Sequence, residues 1–195
     1  MDNSQIRHSA AFAARLRREL AAFGVRPAQP GDVAGARTLA AQLIGEGIVA
    51  AGELDRVQRL SGRTALFVTE EGGALTGILA FLLLNRDGLR AVHEGTFDAC
   101  APSARDLAGP GEAVWAFYGW GVAAATKASA RRVVDAARAV MGGAVGPLPK
   151  FARPTTDAGH RLMRERLGFV DLPGCDSGLV WQAPQDDARH AAVAA

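Results

Sequence analysis

The stretch Ala116-Phe117-Tyr118-Gly119-Trp120-Gly121-Val122-Ala123-Ala124-Ala125-Thr126-Lys127 decides how this chain is read. An apolar, aromatic run of strand character passes through two glycines directly into a small-residue helix. Glycine has no Cβ, so the backbone can turn tightly there and a ligand can approach its N–H groups. The helix beyond leaves its first N–H donors unpaired and aims the positive end of its dipole at the turn. A strand, a glycine turn and a helix start in that order suit a phosphate or pyrophosphate. Two nucleotide motifs are excluded. No Gly-Lys-Ser/Thr of a P-loop is present, and Gly119-Trp120-Gly121 lacks a third glycine three positions later. Trp115 and Phe117 read as core, whereas Trp120, set between glycines, is placed to line a pocket.

Outward from this segment, helix and strand signals alternate. Downstream, Ala130, Val133, Val134, Ala137 and Met141 form the buried stripe of a helix that begins near Ala123 and stops at Gly142-Gly143. Upstream, residues 113–118 read as a strand and 99–112, rich in Ala, Pro and Gly, as a loop. Leu89, Ala91, His93 and Phe97 alternate with Arg90, Glu94, Thr96 and Asp98, which predicts a strand over 89–98. Residues 64–69 and 75–85 make a hairpin about Gly72-Gly73, and the unbroken apolar run 78–84 predicts burial on both faces. Residues 4–22 read as a helix with Phe12, Leu16 and Leu20 on one face. Short strand 24–27 leads through Pro30-Gly31-Asp32 to a helix ending near Ile44, and 52–60 is another helix. From Ala183 the chain is polar and alanine-rich, the composition of a frayed tail. The order predicts one domain over 1–195, a three-layer α-β-α fold with a mixed, mostly antiparallel central sheet.

Three landmarks in this order resemble the GCN5-related N-acetyltransferase (GNAT) superfamily. Its pyrophosphate motif, Gln/Arg-x-x-Gly-x-Gly/Ala, is similar to Tyr118 through Ala123, with Gly121 and Ala123 on the small positions and Tyr118 in place of Gln or Arg. Pro154 through Phe169, ending in Leu167-Gly168-Phe169, resembles the family's closing helix, and Val25 through Asp32 its first strand and helix entry. Helix 4–22 is then an addition that packs on the domain or serves a homodimer contact. The resemblance implies transfer of an acetyl or other acyl group from acetyl-CoA or another acyl-coenzyme A to a small-molecule or peptide amine. Phe117, Gly119, Trp120, Gly121, Val122, Ala123, Thr126 and Lys127 would hold the cofactor, chiefly through backbone N–H groups. The family's usual tyrosine acid is absent from the closing helix, and Tyr118 is the candidate to replace it. Glu94, at the centre of its expected strand, is the candidate base; a surface glutamate paired with Arg90 is the other reading of the same residue. A non-catalytic coenzyme A-binding module of the same fold is the alternative.

Bulk properties agree with a soluble domain. The 195 residues are 49% hydrophobic and 22% charged, and the net charge of +2 argues against a nucleic-acid partner. Cys100 and Cys175 stand 75 positions apart, outside any zinc-knuckle spacing, so reduced thiols, no metal and a cytoplasmic location are expected. The N-terminal arginines lack an apolar run beside them and do not read as a signal peptide. The apolar run 78–84 is far too short to span a bilayer.

Overall fold

A computed structural model of the chain describes residues 6–45, 48–173 and 178–185. Cys175 and residues 186–195 of the expected tail lie outside the described residues. A seven-stranded sheet runs in the order β1-β2-β3-β4-β5-β7-β6. Its strands are β1 (Arg26–Pro27), β2 (Leu66–Glu71), β3 (Ala74–Leu84), β4 (Ala116–Ala124), β5 (Lys150–Ala152), β6 (Val170–Asp171) and β7 (Val180–Gln182). Among the described strands only β4 and β5 pair in parallel; the other pairings are antiparallel. Among the described residues six α-helices flank it: α1 (Ala10–Ala21), α2 (Asp32–Ile44), α3 (Ala51–Leu60), α4 (Arg86–His93), α5 (Lys127–Gly142) and α6 (Asp157–Arg161). No helix among the described residues is long and apolar enough to cross a membrane.

The doubly buried strand expected over 78–84 is β3, whose residues alternate between two cores. Leu79, Phe81 and Leu83 face α1 and α5, while Ile78 and Ala80 face α2 and α3. Leu82 and Leu84 join Val92 of α4, Tyr118 and Phe151 in a third cluster. The β2–β3 hairpin turns through Gly72 (φ 58°) and Gly73 (φ 81°), a left-handed pair that glycine adopts without strain. Gln58 of α3 is buried beneath it. Its Oε1 accepts from the N–H groups of Ala65 (3.1 Å) and Leu66 (2.8 Å), and its Nε2 donates to the carbonyls of Ala28 and Leu66. One side chain thereby satisfies the backbone where β1 ends and β2 begins.

Helix α1 packs on the domain. Ser9 caps it by accepting from Phe12 N–H at 3.1 Å, and Leu16 and Leu20 are fully buried against α5. The chain before it is strapped down as well. His8 Nδ1 meets Ala108 O at 2.9 Å, and Arg7 bridges to Ala113.

Two expectations are corrected. Residues 89–98 do not form a strand, because Arg86–His93 is the helix α4. Asn85 Oδ1 caps it by accepting from Gly88 N–H at 3.1 Å, and Leu89 and Val92 lie i, i+3 on its inner face. Gly88 is pressed against the following loop, since a Cβ there would stand 2.2 Å from Asp106 O. Nor do the glycines at 119 and 121 form a turn. β4 runs through both to Ala124, and α5 begins only at Lys127, with Thr126 as its cap.

Lys150 of β5 is fully buried, with Nζ donating to Gly146 O and Leu148 O at 2.9 Å each. Burial lowers its pKa from the ordinary 10.5 to about 8. Above pH 8 the unfolded chain therefore binds more protons than the folded one, and stability rises with pH until both forms are neutral. Urea unfolding of wild type and Lys150→Met is expected to show wild type gaining on the variant by roughly 3 kcal/mol between pH 8 and 10.5, and a constant difference below that window. In the same assay Leu16→Ala at pH 7 should lose about 2–5 kcal/mol, the cost of a cavity between α1 and α5. A loss under 1 kcal/mol would mean that α1 is loosely attached.

Candidate functional site

The site is made where two neighbouring strands part. β4 and β5 pair only over Phe117–Gly119 and Lys150–Ala152. Beyond Ala152 the chain leaves through Arg153 and Pro154, which has no N–H to continue a ladder, and enters α6 by way of Thr156. Thr156 caps that helix, its Oγ1 accepting from Gly159 N–H at 3.0 Å. β4 meanwhile continues from Trp120 to Ala124 bonded to β3 alone. Ala125 N–H donates to Thr76 O on the β3 side, so strand alternation turns the peptide groups of Val122 and Ala124 to the open edge.

At the same place β4 carries a bulge. Phe81 pairs with Gly119 and Ala80 with Gly121, leaving Trp120 as the extra residue. Trp120 and Gly121 then both face the α2–α3 side, which is sterically open because Gly121 has no side chain. The Trp120 indole donates to Ala99 O at 2.6 Å and packs between the two cores on that face. A Cβ on Gly121 would stand 3.9 Å from the Cβ of Ala80, an ordinary contact, and Gly121 is not among the glycines with positive φ.

Beside the bulge lies a cavity of about 290 Å³. β4 from Tyr118 to Val122 is its floor, α2 and α3 one wall, the 97–100 loop a second, and Ala152 through Met163 a third. Its polar groups include Tyr118, Asp98, Cys100 and Arg153. Tyr118 is 3% exposed, and burial raises its pKa above the usual phenol range, partly opposed by the nearby Arg153 charge. Asp98 Oδ1 accepts from the N–H groups of Cys100 (2.8 Å) and Ala101 (3.3 Å), which fixes the loop that carries it. Leu162 and Met163 reach the cavity from a π-helical turn, Leu162–Arg166, closed by Leu167 N–H on Leu162 O at 3.1 Å.

The N-terminus of α5 stands at the far end of the open edge. Thr126 Oγ1 accepts from Ser129 N–H at 3.0 Å and donates to Glu71 Oε2 at 3.3 Å. Ser129 Oγ donates to Glu71 Oε1 at 3.3 Å and meets Thr76 Oγ1 at 2.6 Å, and Arg132 stands 3.7 Å from the same carboxylate. A ladder of hydroxyls thus joins the β2–β3 hairpin to the first turn of α5.

Of the residues singled out from sequence, Tyr118, Gly119, Trp120, Gly121 and Val122 line the cavity. Phe117 is buried on the opposite face of the sheet, and Ala123 is packed in the α2–α3 core. Thr126 caps α5 and Lys127 opens it, exposed. Glu94 is corrected as a candidate base: it is the exposed C-cap of α4 and is not among the cavity's lining residues, which include Asp98 instead. Sequence reasoning missed the contribution of Ala36, Ile44, Leu54 and Leu66, because an apolar residue facing a cavity has the same pattern as one facing core.

No protein-family model and no curated protein matches the chain. Solved structures do. Ard1 from Thermoplasma volcanium aligns over 83% of this chain and 97% of its own, at 12% identity and a TM-score of 0.50. A GNAT family acetyltransferase from Brucella melitensis in complex with acetyl-CoA aligns over 84% and 92%, at 16% identity and a TM-score of 0.45. A GNAT-like decarboxylase, GphF, in complex with isobutyryl-CoA aligns over 83% and 99%, at 15% identity and a TM-score of 0.49. With its mixed seven-stranded sheet flanked by helices on both faces, the chain has the GNAT fold.

Proposed function

We propose that the protein transfers an acyl group from a coenzyme A thioester to an amine in the cleft between β4 and β5. The observation that carries this reading is the unpaired β4 edge from Trp120 to Ala124, with a cavity at one end and a helix N-terminus at the other. The residues fit the cofactor. Its pantetheine arm is a chain of amides, and the Val122 and Ala124 peptide groups offer such a chain donors and acceptors along an edge. The N–H groups of Lys127 and Ala128, with the Lys127 ammonium, suit a diphosphate. Glu71 is the opposing charge at that end, and Arg132 beside it offsets it.

Bound there, a thioester supplies an activated acyl carbon; the amine nitrogen bonds to it and the C–S bond breaks, its electron pair leaving on sulfur. This chain's residues manage the protons. Asp98, at the cavity wall, takes the proton shed by the amine. Tyr118 stays protonated well above neutral pH and gives its phenolic proton to the departing sulfur. The apolar walls keep water from the acyl carbon.

Calorimetric titration with acetyl-CoA tests the placement. A Cβ at position 121 meets only Ala80, so Gly121→Val is expected to fold, yet its methyl groups enter the cavity and are expected to weaken binding at least tenfold. Equal affinity in an equally stable variant would put the ligand elsewhere. Tyr118→Phe is expected to lower kcat by about a hundredfold with little change in the dissociation constant. Unchanged kcat would take the proton-donor role from Tyr118.

A further inference from the structure

We infer that the donor carries a straight acyl chain of about eight carbons in preference to acetyl; this rests on the donor reading above. The cavity does not end at β4. Its floor continues over the sheet from Gly121 of β4 to Ala80 of β3 and Leu66 of β2, under a roof of Ala36 and Ile44 from α2 and Leu54 from α3. Two strand spacings make about 10 Å of apolar floor. An extended chain advances about 1.2 Å per bond, from about 3.5 Å per three-bond residue, so that floor accommodates roughly eight bonds.

The opening exists because three facing positions are small. Gly121, Ala80 and Ala36 stand where α2 crosses the sheet, and bulkier residues there would close the gap. An acetyl methyl covers only the first strand's width and leaves the rest as unfilled apolar space, whose lining loses its dispersion contacts. Alkyl groups restore those contacts and release no polar group from water. A polar acceptor gains nothing from floor and roof made of carbon, whereas the charged lining groups Asp98 and Arg153 come from the adjoining loop and the end of β5.

Calorimetric titration without amine, using free coenzyme A and its acetyl, butanoyl, hexanoyl, octanoyl and dodecanoyl thioesters, reads this directly. Affinity is expected to rise roughly fourfold per methylene up to about octanoyl and then to stop rising. Ala36→Leu, which narrows the gap, is expected to move that ceiling to a shorter chain, with a urea midpoint confirming that it folds; if it does not fold, the wild-type series decides alone. Equal affinities for all the thioesters, or a fall with length, would overturn the inference and give the cavity to the acceptor. No binding by free coenzyme A or any thioester would instead overturn the donor reading.

Discussion

The parting of β5 from β4 after three paired residues is the constraint on which the site depends. Sheets normally leave interior backbone groups satisfied, and an unpaired interior edge is costly unless something polar completes it. Here Arg153 and Pro154 divert β5, and the peptide groups of Val122 and Ala124 remain available within the fold. The bulge at Trp120 falls at the same level and sends two successive residues to one face. Diversion and bulge together make a slot through the sheet that is continuous with a cavity on the α2–α3 side.

Opening a sheet in its middle requires that the surrounding parts be held by other means. On the α5 side a full core from Leu16 to Val180 covers the strands. At the hairpin end the Ser129 hydroxyl donates to the Glu71 carboxylate and meets the hydroxyl of Thr76, fixing α5 relative to β3. Gly77 makes that approach feasible, because a Cβ would stand 3.2 Å from Val133 and 3.4 Å from Ser129 of α5. On the other face Gln58 ties α3 to the end of β1 and the start of β2. The slot is therefore bordered by rigid elements, which suits a site that must position a flexible donor.

Element order was largely legible in the sequence, because long periodic segments report their own type. The double burial of β3 followed from an unbroken apolar run, and the hairpin from Gly72-Gly73. The strand expected over 89–98 fails because Leu89 and Val92 satisfy helical spacing while the neighbouring residues also alternate; the cap at Asn85 and the close contact of Gly88 with Asp106 decide for the helix α4. Gly119 and Gly121 suggested a turn, yet in β4 they leave room beside a bulge and a splayed neighbour. That is a tertiary reason which local propensity does not contain. The cavity was illegible for the same reason: Ala36, Ala80 and Leu66 differ from core residues only in what lies opposite them.

The seating of α1 bears on how the chain emerges from the ribosome. Glu19 accepts from the N–H of Ala144 at 3.1 Å across 125 positions, and Leu16 and Leu20 are buried against α5. At about 5–20 residues per second, the first helix waits roughly 6–25 s for its partner to be made. During that interval its apolar face has no native cover. A segment so exposed is a natural early client for a nascent-chain chaperone, and translation speed through the intervening residues then bears directly on the yield of folded protein.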